Sequence, residues 1–412
     1  MKKFGVAAGL AAAMMLGTSA MATDLEVTHW WTSGGEAAAV AEFAKAFDAT
    51  GNRWVDGAIG GSGDTARPII ISRIMGGDPP GATQFNPGSD ANDLIDAGLI
   101  LDLTELAEKE GWKDVVKPSS ILDPCIRDGK VWCVPVNIHS SFWLWTNRNV
   151  FTNLGMEPPK DWNELVAVGP KLREAGIIPL SAGQGWPIST LVDNIEVGVL
   201  GVDNVTKIYS GRDMDLIHGD LAKQVWVAME QARDLIKPEE IVPQWNDAVS
   251  LVITGKAAAN VMGDWAQGEF QVANQVAGTD YDCLAGMGLN DVASAGGDVF
   301  YFPKTDDPER TKAQLELASL MISPAVQVAF NSKKGSMPVR QDVDMSAANA
   351  CMQKGLKIIQ DPGKLAPNNA TMLLRETIYA IRDLRNEFMT TDMSADDGYA
   401  AWVKIMEEAP AV

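Results

Sequence analysis

The sequence predicts an α/β protein built of two lobes. Three observations carry that expectation. Short strand-like runs alternate with helical runs from residue 25 onward, the pattern of α/β folds. A second series of the same kind starts near Asn137. No flexible Ser/Gly linker, internal repeat or low-complexity tract separates the two series, so a hinge of short crossovers is expected between them rather than a tether.

The chain begins with a segment that does not belong to either lobe. Lys2 and Lys3 form a positive start, residues 6–16 are apolar and mostly small, and Ala20-Met21-Ala22 fits an A-x-A cleavage pattern. This reads as a secretory signal peptide covering residues 1–22, with the mature chain starting at Thr23. The apolar stretch falls short of the roughly 20 residues that span a bilayer. No cysteine follows the cleavage site to carry a lipid, and no later stretch reads as a membrane-crossing helix. A free exported protein is expected.

In the first lobe, residues 25–31 read as a strand. Ser33 suits the N-cap of a helix over residues 36–49, ended by Gly51. Residues 53–59 read as a second strand, Gly60-Gly-Ser-Gly63 as a turn, residues 64–75 as a helix, residues 82–85 as a short third strand and residues 90–97 as a helix. In open α/β sheets ligands sit beyond the carboxyl ends of strands. Trp30-Trp31, Gly60-Gly61 and residues 84–86 fall at such ends. In the second lobe, residues 142–145 read as a buried strand and Asp161 as the cap of a helix over residues 162–173. Residues 177–180 and 257–262 read as further strands.

Four cysteines allow three pairings in an oxidising compartment. Residues 125–133 read as a hairpin turning about Gly129, with Cys125 and Cys133 equidistant from that glycine and facing across the strands. Cys283 and Cys351 then remain as the second pair. The alternative is four buried free thiols.

A formal net charge of −20 favours solubility and argues against nucleic acid or an anionic membrane as partner. Gly61-Ser-Gly63-Asp-Thr-Ala66 matches a G-x-G-x-x-A fingerprint, but Gln84-Phe-Asn86 stands where the ribose-binding acid belongs. A plain glycine turn, or backbone donors near a neutral ligand, is the better reading, and no cofactor is expected. His29, His139 and His218 are scattered, and no zinc, calcium, P-loop or nucleophile-elbow pattern occurs. His139 lies where the chain crosses between lobes; a structural hydrogen-bonded role comes first and cleft lining second.

Tryptophan is the anomaly of composition, with 13 residues. Trp112, Trp162, Trp226 and Trp402 suit a core. Trp30-Trp31, Trp245 and Trp265 are flanked by polar residues at element ends. A rigid apolar face rimmed by hydrogen-bonding groups is the complement of a sugar ring. Glu36, Asp298 and Lys334 are the charged groups suited to bonding hydroxyls. A secreted glycoside hydrolase is the alternative, with Glu36 and Asp298 as its carboxylate pair.

Four segments carry a resemblance: HWWTSGGEAAAV (29–40), GKVWCVPVNIHSSFWLWTNRNVF (129–151), VMGDWAQGEF (261–270) and NSKKGSMPVR (331–340). Together they resemble the carbohydrate-binding subunits of bacterial ABC importers, and most of all periplasmic glucose-binding proteins. The resemblance implies a two-lobed periplasmic binding protein fold of the maltose/glucose-binding type, with three interlobe crossovers. It implies a monomeric receptor that closes on a glucose-like monosaccharide without chemistry and docks on a membrane permease. An oligosaccharide or a polyol is the other ligand to consider. The lobes would comprise residues 23–136 with 298–337, and residues 137–297 with 338–412, the latter rich in helix.

Carried over by matching segment, Trp30, Trp31 and Glu36 would line the first lobe's side. Gly60 and Gly61 would approach by backbone, followed by Gln84 and Asn86. Asn137 and His139 would sit at a crossover, Trp245 and Trp265 would stack on the ring, and Asp298 and Lys334 would return from the first lobe. The resemblance also implies a Cys283–Cys351 bridge. Two positions depart from it. Asn86 stands where relatives often carry lysine or histidine, and residues 367–371 replace a Pro-x-x-Ala-His stretch.

Overall fold

The computed structural model describes residues 22–294, 296–366 and 372–410. Residues 1–21 of the signal segment and the departure at residues 367–371 therefore lie outside the described residues.

Two sheets organise the chain. The first runs, from edge to edge, Arg53–Ala58, Asp24–His29, Ala82–Phe85, Val299–Tyr301 and Val134–Pro135. Its first three strands are parallel, and the last two join antiparallel. The second runs Tyr281–Ala285, Trp143–Asn147, Ala257–Val261 and Ile178–Ser181. Val299–Tyr301 enters the first sheet only after the chain has built the second, so each lobe is assembled from segments far apart in sequence. Three stretches cross side by side: Ile138 pairs with Met337, and His139 with Gly296. These are the three interlobe crossovers expected.

The helix Gly34–Asp48 begins where the sequence places its cap, with the Ser33 side chain accepting from Glu36 N–H. It turns Phe43 and Phe47 inward, where Phe43 stacks on Phe330 at 4.2 Å between ring centres. Its first turn lies against the helix Ala266–Val272 of the second lobe. Gly35 meets Gly268 there so closely that a Cβ on Gly35 would stand 2.4 Å from the Gly268 carbonyl carbon. The Glu269 carboxylate accepts the Gly35 N–H at 2.8 Å. An acidic group at a helix start is favourable because the first N–H groups are unpaired.

Several expectations are corrected. The first strand ends at His29, not at residue 31, because its partner ends at Ala58. Beyond it, Trp30 N–H donates to Gln84 Oε1 and Trp31 N–H to His29 Nδ1. The helix expected over residues 90–97 is a 3₁₀ turn, Ser89–Ala91, followed by the short helix Asn92–Asp96. The residue 125–133 hairpin exists, but its turn is the two residues Asp128 and Gly129, both with positive φ, the requirement of a type I′ turn. Ile126 therefore opposes Val131, and Cys125 lies one position out of register with Cys133. The two still bond, across 5.0 Å between Cα atoms, and Cys283 bonds Cys351 across 6.0 Å. Both lie within the usual span for a disulfide.

Candidate functional site

A cleft of about 640 Å³ opens between the two sheets' carboxyl ends. Its apolar walls are indoles. Trp30, half-buried, follows the strand Asp24–His29 and rests against Gly63, whose missing side chain leaves the ring its place. Across the cleft, Trp265 follows the strand Ala257–Val261. A Cβ on Gly263 would come within 2.1 Å of that ring, so only glycine lets the indole fold back over its own chain. Trp186 tilts against Trp265 at 6.0 Å. Trp245, the first residue of the helix Trp245–Ile253, completes the wall.

Two buried charge clusters form the polar part. Lys334 ends the helix Pro324–Lys334 and Glu36 stands in the first turn of Gly34–Asp48. Their Nζ and Oε1 are 2.7 Å apart. Both residues line the cleft, and among the described residues Glu36 Oε2 takes no hydrogen bond and Lys334 Nζ makes only the one to Glu36 Oε1. The second cluster centres on Asp298. Its Oδ1 accepts from Gln84 Nε2, and its Oδ2 accepts from Asn137 Nδ2 and His139 Nε2, each at 2.9 Å. Asp298 N–H donates to Asn137 Oδ1 at 2.7 Å. On its other side His139 Nδ1 lies 2.5 Å from Asp264 Oδ1.

Burial alone would depress the His139 pKa, but the Asp264 and Asp298 carboxylates outweigh it and push it up to about 9. Burial would raise Asp298; its bonds to His139 and the nearby Lys334 charge overcome that and hold it at about 2. Asp264 is pushed up by burial, against the opposing pull of His139. His29 behaves oppositely. Burial lowers it more than the Asp56 carboxylate at 2.8 Å raises it. Its Nδ1 accepts from Trp31 N–H, which places the single proton on Nε2.

The structure brings most of the expected residues together. Trp30, Glu36, Gly61, Asn86, His139, Trp245, Trp265, Asp298 and Lys334 all border the cleft. Gly60, Gln84 and Asn137 are not among its lining residues. Gln84 and Asn137 are fully buried and stand behind the wall, where their amides hold Asp298. Gly60 is displaced because the turn brings Gly61, Ser62 and Gly63 to the cleft instead. Trp31 touches the cleft edge, but its ring is 2% exposed. It packs among Phe43, Phe300 and Phe330 and lies 5.3 Å beneath Lys334 Nζ. The expected flat wall of two adjacent tryptophans is thus one cleft indole and one core indole that supports a charge.

Sequence reasoning missed Trp186 and Asp264. Trp186 had the available signal: it follows a strand end and opens a helix with Pro187, as Trp265 stands at the next strand's end. Asp264 had no such signal, because its partner His139 is 125 residues away. Arg67 also lines the cleft, paired with Asp64 and near Asp90. Among the described residues no group of acids, histidines or cysteines is arranged to hold a metal, and no single helix is long and apolar enough to cross a membrane.

Residues 31–327 match the profile of the family described as bacterial extracellular solute-binding protein. A probable sugar-binding periplasmic protein of Rhizobium meliloti is 37% identical over 360 residues, covering 87% of this chain and 86% of the relative. One of the same description from Brucella melitensis is 35% identical, covering 82% and 80%. Among solved structures, the bacterial solute receptor AcbH superposes with a TM-score of 0.72 at 16% identity, covering 94% and 98%. Maltose-bound MalE3 of T. maritima gives 0.67 at 18%, covering 94% and 99%. With a match across most of its length and close relatives over nearly all of it, the chain belongs to the bacterial extracellular solute-binding protein family.

Proposed function

We propose that the protein is an exported sugar receptor of an ABC importer. In this reading it captures a glucose-like monosaccharide between its lobes and presents the closed form to a membrane permease. The observation that carries the reading is the pairing of indole faces with ion-paired groups that keep free bonding positions. A carboxylate has about four acceptor positions. Asp298 has three donors on it, leaving one position on Oδ1 at the cleft wall. Glu36 Oε2 adds an acceptor and Lys334 adds donors. Together they match the ring faces and hydroxyl rim of a sugar.

The two lobes would be residues 23–136 with 298–337, and 137–297 with 338–412. Ligand contact with both favours the closed form, which is how binding shifts the population. Because the indoles and ion pairs are already placed, little ordering is lost on binding. Affinity of micromolar or tighter is expected, about −8 kcal/mol. The relatives named sugar-binding periplasmic proteins support the class of ligand and the compartment. A monomer is expected, so that closure is unobstructed, with cleavage after Ala22.

A second reading keeps the receptor and lengthens the ligand. The roughly 640 Å³ cleft favours it, and structural neighbours include a chitin oligosaccharide binding protein and a raffinose complex. Catalysis is less well supported. A glycosidase needs one carboxyl held protonated, whereas Asp298 is kept ionised beside His139 and Glu36 is paired with Lys334. Native mass spectrometry of the protein purified without added ligand, followed by calorimetry against mono- and oligosaccharides, tests the proposal. Saturable binding of one ring supports the first reading, and selective binding of longer chains the second. No binding across the panel removes the receptor reading.

A further inference from the structure

We propose that Asp264 is a positioning residue for the ligand. Through the His139 ring it fixes the orientation and charge of the Asp298 carboxylate at the cleft wall. The inference rests on the sugar-receptor reading and assigns a role to a residue that does not itself line the cleft.

Both Asp264 oxygens are engaged. Oδ1 lies 2.5 Å from His139 Nδ1, and Oδ2 accepts Ser140 N–H at 2.8 Å. The carboxylate is buried and cannot turn without losing one bond or the other. His139 is set between it and Asp298, whose Oδ2 lies 2.9 Å from Nε2. Nε2 also lies 3.0 Å from Asn137 Nδ2, but that amide donates to the same Asp298 Oδ2 at 2.9 Å. A bare Nε2 would set its lone pair against the carboxylate's at 2.9 Å, so Nε2 carries a proton. The carboxylate at Nδ1 requires a proton there as well. The ring is therefore an imidazolium clamped between two acids.

Asp264 lies three residues beyond the second sheet's strand Ala257–Val261, and Asp298 directly precedes the first sheet's strand Val299–Tyr301. The clamp thus spans the crossover with one acid from each side. Lys334 is the other charge facing both acids, and it is itself paired with Glu36. The high His139 pKa and low Asp298 pKa have the same origin. The arrangement also reaches the apolar wall. Trp265 is the next residue in the chain and stands edge-on to the His139 ring at 5.1 Å. One buried acid thereby sets both the acceptor and the stacking face.

The test is Asp264→Asn in the full mature chain, titrated with D-glucose and with maltose from pH 6 to 10. The asparagine amide can donate to Nδ1, which leaves His139 neutral while its Nε2–H still reaches Asp298. Wild type should bind with constant affinity to about pH 8 and weaken as His139 loses its proton near pH 9. The variant should bind about tenfold more weakly at pH 7 and show no decline near pH 9. His139→Gln should behave alike, and the double variant should be no worse than either single one. A variant that is weaker but keeps the alkaline decline assigns Asp264 a structural role only, and so overturns the proposal, as does unchanged affinity. Nitrogen-15 chemical shifts of the wild-type imidazole decide the matter if the variants do not fold. A doubly protonated ring at pH 8 supports the clamp, and a neutral one overturns it. Wild type that binds neither these probes nor any sugar of the wider panel refutes the receptor reading, and the imidazole shifts then judge the clamp alone.

Discussion

Replacing Trp265 and Trp31 by alanine, one at a time, separates a ligand wall from a core. Trp265 is partly exposed at the cleft, held by Gly263 beneath, Trp186 at 6.0 Å and the His139 edge at 5.1 Å. Its ring is placed before any ligand arrives, so truncation removes contact area rather than ordering. If a sugar ring covers about 80 Å² of the indole, about 25 cal/mol per Å² gives about 2 kcal/mol. That corresponds to roughly 30-fold weaker binding. Trp31 is different. Its ring is 2% exposed among three phenylalanines, and such truncations cost about 3–5 kcal/mol of stability. Isothermal calorimetry with the identified sugar, beside urea unfolding, reads both quantities. Trp265→Ala should lose affinity and little stability. Trp31→Ala should lose stability first, and affinity only through the Lys334 charge above it. A folded Trp265→Ala protein that binds within twofold of wild type would refute the stacking argument.

Three further outcomes follow from the charges and bridges. Lys334→Met leaves the Glu36 carboxylate buried without its partner, which should cost about 3–5 kcal/mol in urea unfolding. Adding Glu36→Gln should recover much of that stability but not the sugar affinity. Replacing both cysteines of a bridge by serine should weaken folding more at Cys283–Cys351 than at Cys125–Cys133. Their sequence separations are 68 and 8, and loop closure gives about 4 and about 2.5 kcal/mol. Denaturation midpoints that rank the other way would contradict this ordering. His139 has a folded pKa above its usual value. Its contribution to stability is therefore complete below about pH 6.5 and disappears as pH rises through about 9. Unfolding midpoints should decline over that window, and His139→Gln should remove that part of the decline.

Much was legible along the chain because it depends on neighbours in sequence. Ser33 and Asp161 cap helices where a side-chain oxygen three residues ahead of an N–H dictates it. The strand Ala82–Phe85 matches its expected bounds, since Gly81 and Pro87 enclose it. The hairpin at Asp128-Gly129 was legible, but its register was not. One residue of turn length moves every cross-strand partner, and only the backbone conformation of the turn fixes it. For the site, polar-flanked tryptophans and lone charges marked the right region. They did not separate Trp30 from Trp31. Adjacent side chains share their sequence surroundings, and which one turns inward is settled by Phe43, Phe300 and Phe330, drawn from distant elements.

By itself, then, the sequence determined the α/β periodicity, the helix caps, the number of cysteines and the acidic surface, all of which follow from local chemistry or composition. Only tertiary structure decided which charges are partners. Glu36 meets Lys334 across 298 residues, and Asp264 meets His139 across 125. A buried charge persists only where the fold brings its counter-charge. That meeting is a property of how the crossovers lay the two lobes together, and no stretch of either sequence neighbourhood contains it.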